Sequence, residues 1–244
     1  MTASVVAAAL AVFLGAGLQS ATGFGFALVS APILFALLGP HEAVSAGVTV
    51  GLLLNGLTLA GERRRPQVLV RDAAVLVAWS VPGIVLGALA LREVARQPLS
   101  VVVALAVLAG LVLRVRSNQL QARARQRPWH LPATGLSSGA LSTSTSLSGP
   151  PLIFCLLARA ASPGQMRDTL AAIFIAESVL ALPVLLATGT FTATRAFAVL
   201  LLAGLAGQLL GRRAFGWLEG ERYERALLAV LAVSALVALM TSIV

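Results

Sequence analysis

Residues 136–151 read LSSGALSTSTSLSGPP and residues 18–26 read LQSATGFGF. Each is a polar, glycine-bearing interruption between apolar runs. Each leads into a short segment with proline just inside it, Pro150 and Pro151 after the later break and Pro32 after the earlier one. In a water-soluble protein such stretches would read as surface loops. The rest of the chain forbids that reading. Of 244 residues, 58% are hydrophobic and 11% charged, and mean hydropathy is +0.93. An ordinary globular domain is about half apolar and a quarter charged. A bilayer-spanning helix takes about 20 apolar residues, so the chain has room for roughly 7 to 10 such elements and little else. Soluble enzymes, secreted disulfide scaffolds and disordered tails are excluded. The composition specifies an all-α polytopic integral membrane protein with broken or re-entrant helices at the two interruptions.

Working outward from the breaks, apolar stretches fall at about 3–18, 24–38, 43–60, 72–91 and 98–115, and again at about 131–142, 150–158, 169–187, 195–211 and 224–243. Between the two sets lies an Arg-rich segment. This divides the chain into a first transmembrane repeat (1–115), a cytoplasmic linker (116–128) and a second repeat (129–244). The halves align. APILFALL (31–38) matches PPLIFCLL (150–157), pairing Pro32 with Pro151, and PGIVLG (82–87) matches AGQLLG (206–211), pairing Gly83 with Gly207 and Gly87 with Gly211. LSVVVALAVLAGLVL also matches YERALLAVLAVSALV, in the same order along the chain.

Charge sets the orientation. All 18 basic residues are Arg, and Arg concentrates in loops that stay cytoplasmic. GERRRPQVLVRD (61–72) and the linker, with Arg116, Arg123, Arg125 and Arg127, fall on that side. In the second half the pattern flips. The counterpart of the triple-Arg loop, ATGTFTATR (187–195), is nearly uncharged, whereas GRRAFGWLEGERYER (211–225) is rich in Arg. The two repeats are therefore expected to be inverted, both termini external, with a site near the midplane where they meet. The net charge of +9 is read as topology rather than nucleic-acid affinity, since aromatics make up only 5% of the chain. The N-terminus, MTASVVAAAL, lacks the basic region of a signal peptide, so the first helix is expected to remain in place.

Backbone that leaves helical geometry inside a membrane must be buried in protein or line a wet cavity. Two short helices whose N-termini point inward present free N–H groups and the positive ends of their dipoles. Hydroxyls of Ser142, Thr143, Ser144, Thr145, Ser146 and Ser148 add donors without charge, and the first half adds Gln19, Ser20, Thr22 and the backbone at Gly23 and Gly25. Together these predict a binding site for a small anion. Gly, Ser and Thr also permit close helix packing, which is the competing reading for any one of them. Glu177 lies mid-span in TLAAIFIAESVLALPVLLA, where a carboxylate is a functional candidate, and its repeat partner is Asn55. Protonated, Glu177 would hydrogen-bond an anion; ionised, it would repel one, which suits proton coupling. Gln208 and Ser80 read as interhelical contacts. His41 and His130 sit at span edges without the companions a metal site needs. The lone Cys155 allows no disulfide and reads as a packing residue. Trp79, Trp129, Trp217 and Tyr223 read as interface anchors.

Gly17, Gly23, Phe24, Gly25 and Pro32, the second copy ending in Gly149, Pro150 and Pro151, and the element Pro82, Gly83 and Gly87 together resemble the TauE/SafE (TSUP) family of sulfite and organosulfur anion transporters. The resemblance covers essentially the whole chain. It implies a multi-pass secondary transporter of the cytoplasmic membrane without an ATPase domain, moving sulfite, thiosulfate, sulfoacetate or a related small anion, with the broken segments forming the substrate path. One departure is that the second break is Ser/Thr-rich where the first is GFGF, so the halves contribute unequally and the particular anion stays open.

The expected function is transport of a small anion by alternating access, coupled to protons. No GxxxxGK[ST] nucleotide-binding loop is present, and no cofactor is expected. The expected partners are the anion, the bilayer and a second copy of the chain as a homo-oligomer. A passive anion channel would use the same residues. An intramembrane enzyme lacks a Ser–His pair, clustered acids or a second cysteine. An assembly subunit would lack a soluble docking domain.

Overall fold

A computed structural model describes residues 3–22, 25–61, 65–115, 130–159 and 161–214. The linker, the last apolar stretch (224–243), Gly23, Arg63, Arg64, Trp129, Trp217 and Tyr223 lie outside these. Among the described residues the fold is all-helical, with nine helices: α1 (Ala3–Thr22), α2 (Phe26–Leu38), α3 (Pro40–Ala60), α4 (Val70–Glu93), α5 (Arg96–Val115), α6 (His130–Thr145), α7 (Gly149–Ala158), α8 (Pro163–Ala187) and α9 (Phe197–Ala214). Four are long and apolar enough to cross a bilayer, over Ala3–Ser20, Pro40–Ala60, Val70–Glu93 and Gly164–Ala187. α2 and α7 have 13 and 10 residues. At 1.5 Å per residue they are about 20 and 15 Å long, short of a hydrocarbon core of about 30 Å.

Two boundaries differ from expectation for local reasons. α8 begins at Pro163 rather than near 169, because Ser162 and Gln165 form a reciprocal capping box with Pro163 in the first turn. α6 runs on through the hydroxyl-rich STST to Thr145. There Ser144 donates to the Ala140 carbonyl at 2.7 Å and Thr145 to the Leu141 carbonyl at 2.9 Å. These back-bonds satisfy the hydroxyls inside the helix, so the second break shrinks to residues 146–148.

Packing follows the correspondence of the halves. α4 lies along α6, and α9 lies along α1. Helix backbones can approach this closely only where side chains are absent. A Cβ on Gly139 would strike the Ser80 carbonyl, and one on Gly83 would strike the Leu136 carbonyl. At the other crossing, a Cβ on Gly207 would strike the Phe13 carbonyl, and one on Gly211 would meet Gly17 and Ser20. The glycine pairs singled out by the alignment thus occupy equivalent crossings.

The connecting segments are tied in the same fashion. Asp168, buried in the first turns of α8, accepts from the Gln67 N–H at 2.6 Å, and Thr169 accepts from the Leu69 N–H at 3.0 Å. In the mirror arrangement, Ser45 of α3 accepts from the Thr192 N–H at 3.0 Å. Trp79 lies well inside α4 and is half-exposed, away from the span ends where interface anchors were expected.

Candidate functional site

The two breaks converge. Gly25 precedes α2 in the left-handed region at φ 115°, which glycine adopts without steric cost. Ser146 at φ 62° ends α6, and for a residue with a Cβ that conformation costs about 1–2 kcal/mol. The Ser146 side chain sits against Gly47, in the space that a Cβ there would fill. Between the two turns lies a cavity of about 60 Å³ lined by residues from α1, α2, α3, α6, α7 and α8. A water needs about 10–15 Å³ by this measure, so the space suits on the order of four waters or one compact oxyanion.

Its polar wall repeats across the halves. Gln19 of α1 donates from Nε2 to Asn55 Oδ1 of α3 at 2.9 Å, and Asn55 Nδ2 donates to the Gly51 carbonyl at 2.7 Å. On the other side Ser138 of α6 donates to Glu177 Oε1 of α8 at 2.6 Å. Ser138 Oγ is also 3.3 Å from the Ser148 carbonyl, which links Glu177 to the second break. Glu177 is 1% exposed, and its Oε2 is a buried oxygen with no hydrogen-bond partner. Such an atom costs free energy unless something in the cavity completes it.

Backbone N–H groups add to the hydroxyl and amide donors of this wall. Neither α2 nor α7 has a side-chain N-cap bond, and Phe26, Ala27 and Leu28 at the start of α2 line the space. Their N–H groups have no intrahelical acceptor and carry the positive end of the helix dipole. α7 offers less, because Pro150 and Pro151 remove two first-turn N–H groups. Among the described lining residues none is basic, and Glu177 is the sole ionisable one.

Residues 8–238 match the model of a family described as sulfite exporter TauE/SafE. The chain belongs to the TauE/SafE family. None of the curated proteins and none of the solved structures compared with it matches. TauE/SafE is a transporter family, and the match covers nearly all the helices described above.

Within this TauE/SafE chain the residues singled out from sequence separate into two groups. Gln19, Gly25, Asn55, Ser142, Ser146, Ser148 and Glu177 line the cavity. Four others point elsewhere. Ser20 donates to the Gly17 carbonyl at 2.6 Å and packs on Gly211. Thr143 donates to the Ile84 carbonyl of α4 at 2.7 Å, and Ser144 and Thr145 are back-bonded within α6. Within the STSTS run, Ser142 and Ser146 line the cavity and the three residues between them do not, since a helix can turn only every third or fourth of its residues to one neighbour. Gly23 and the Thr22 side chain lie outside what is described. Sequence reasoning missed Ser178, Gly47, Gly51 and the supporting Ser138. The last three carry a legible signal, since Gly47, Gly51 and Asn55, and likewise Ser138 and Ser142, are spaced by four and share a helix face.

Gln208 does bridge helices, donating from Nε2 to Thr58 Oγ1 of α3 at 2.9 Å. Ser80 donates within its own helix, to the Val77 carbonyl at 2.8 Å. Cys155 is buried on the other face of α7. It lines a separate cavity of about 250 Å³ with His130, Thr134 and Arg159, and Arg159 is paired with Asp72 at 3.0 Å.

Proposed function

We propose that this protein is a secondary transporter that carries a small anion across the cytoplasmic membrane, with the cavity between the two breaks as its binding site. The observation that carries the reading is the meeting of both breaks with Asn55 and Glu177 around one hydroxyl- and amide-lined space. The anion accepts hydrogen bonds from the N–H groups opening α2 and from Ser142, Ser146 and Ser148. Glu177 couples the anion to a proton. With Oε1 held by Ser138, the proton resides on Oε2 and donates to the anion. An ionised carboxylate there would face the anion with no cation to compensate it.

The other titratable groups on the helices packed against α8 lie away from the cavity. His41 and Glu42 open α3; Arg71, Asp72, Arg92 and Glu93 flank α4; His130 opens α6; Cys155 and Arg159 line the separate cavity. Glu177 alone is placed to sense the substrate. Alternating access follows if the two halves, 1–115 and 129–244, are inverted repeats that rock about this site, the crossings of α4 with α6 and of α9 with α1 moving as paired rigid contacts.

Proteoliposomes loaded with unlabelled sulfite and diluted into radiolabelled sulfite provide the test. Counterflow should appear with the protein and be absent from empty vesicles. An imposed proton gradient should drive accumulation, and Glu177→Gln, which cannot release a proton, should abolish it. Folded protein that exchanges no small anion overturns the transporter reading. Accumulation that survives in Glu177→Gln overturns the assignment of the coupling residue.

A further inference from the structure

The charge available in the cavity limits what it can hold. A helix N-terminus contributes about half a positive charge. Two of them converge here, and the one on α7 is weakened as a donor by Pro150 and Pro151. Among the described residues no arginine or histidine lines the space. The remaining donors are neutral, and the one ionisable side chain is an acid. Among the described residues the positive supply therefore amounts to about one unit of charge, and it is strongest at the α2 end, where three lining residues carry uncapped N–H groups.

Resting on the transporter reading above, we infer that the site accepts singly charged oxyanions and rejects doubly charged ones of the same size. The bound species seats its charged oxygens at the start of α2 and receives a hydrogen bond from Glu177 Oε2 at the α7 end. For sulfur(IV) this selects hydrogensulfite over the sulfite dianion. A monoanion brings the local charge near zero when Glu177 is neutral. A dianion leaves one full charge uncompensated between protein walls, where Coulomb energies exceed those in bulk water. The small volume acts in the same direction, because it leaves little room for waters to accompany the second charge. The unpartnered Glu177 oxygen is the independent mark of a ligand position. It is 1% exposed, lines the same cavity as the α2 N-terminus, and lacks the partner an anion's oxygen would provide.

Methanesulfonate and sulfate test this directly, since both are tetrahedral at sulfur, similar in size, and differ by one charge. Equilibrium binding to the purified full chain in detergent should favour methanesulfonate by about a hundredfold or more. Sulfite should bind below its second ionisation and lose affinity above it. A permanent charge added by Gln19→Arg should raise sulfate affinity relative to methanesulfonate by at least about tenfold. Should that variant fail to fold, the wild-type comparison decides alone. Sulfate binding as tightly as methanesulfonate overturns the charge selection and leaves the transporter reading standing. Binding of neither anion, nor of sulfite at any pH, by folded protein overturns the transporter reading itself.

Discussion

Adding one methyl group at Gly139 should drive α4 and α6 apart. The new Cβ would meet the carbonyl oxygen and carbon of Ser80 and the amide nitrogen of Ile84. All three are backbone atoms of a 24-residue helix, so no side-chain rotation relieves the overlap. Overpacking costs about 1–3 kcal/mol, with rigid obstacles at the upper end. The better helix propensity of alanine returns up to about 1 kcal/mol, leaving a net loss of about 2 kcal/mol. Gly56 in α3 is the control, because a Cβ there meets nothing within 4 Å. Gly56→Ala should keep the propensity gain without the clash, which places the two variants about 3 kcal/mol apart. For a chain of this size that corresponds to roughly 6–12 °C in apparent melting temperature. Thermal unfolding in one detergent, followed by the signal of the native tryptophans and by aggregation, reads the difference. Gly139→Ala melting at or above Gly56→Ala would show that the backbones are not in contact at this crossing, and the equivalence with the α1–α9 crossing would fall with it.

Substitutions at three further positions probe the site and its supports. Ser138→Ala removes the donor to Glu177 Oε1 and should cost about 1–3 kcal/mol in stability; it should also alter the pH profile of uptake, which a purely structural role for the hydroxyl would leave alone. Gly25→Ala forces a Cβ into the left-handed region at about 1–2 kcal/mol and crowds the cavity, so sulfite binding measured by calorimetry should weaken at least tenfold, and unaltered binding would remove Gly25 from the site. Asp168→Ala leaves the Gln67 N–H without its acceptor and should lower stability by about 1 kcal/mol. Asp168→Asn, which keeps an oxygen acceptor, should recover most of that loss in the same melting assay.

Some of the site was readable because its chemistry is conspicuous against an apolar background. Glu177 stands out as the one charged residue of the apolar run 169–187, and Asn55 follows from the alignment of the halves. Gly25 and Ser148 border breaks that no apolar helix would contain by chance. Ser20, Thr143, Ser144 and Thr145 were equally conspicuous and lie elsewhere. A hydroxyl in a helix can satisfy itself on the carbonyl one turn back, so its identity does not report its direction. Ser178 escaped notice because it is ordinary in a membrane helix, and Ser138, Gly47 and Gly51 show only a spacing of four from Ser142 and Asn55. Their meaning comes only from what they face.

By itself the sequence determined the membrane class, the helical content, the two breaks and the pairing of Gly83 and Gly87 with Gly207 and Gly211. These properties depend on hydropathy and local backbone preference, which neighbouring residues along the chain settle among themselves. The tertiary structure alone decided that the second break narrows to residues 146–148, and that Gln19 meets Asn55 as Ser138 meets Glu177. It also decided which hydroxyls face the cavity and which are consumed within their helices. Those outcomes depend on the rotation of each helix about its axis. That rotation is set by how closely paired glycines let neighbouring backbones approach, and a periodic apolar sequence, similar on every face in a membrane, leaves it undetermined.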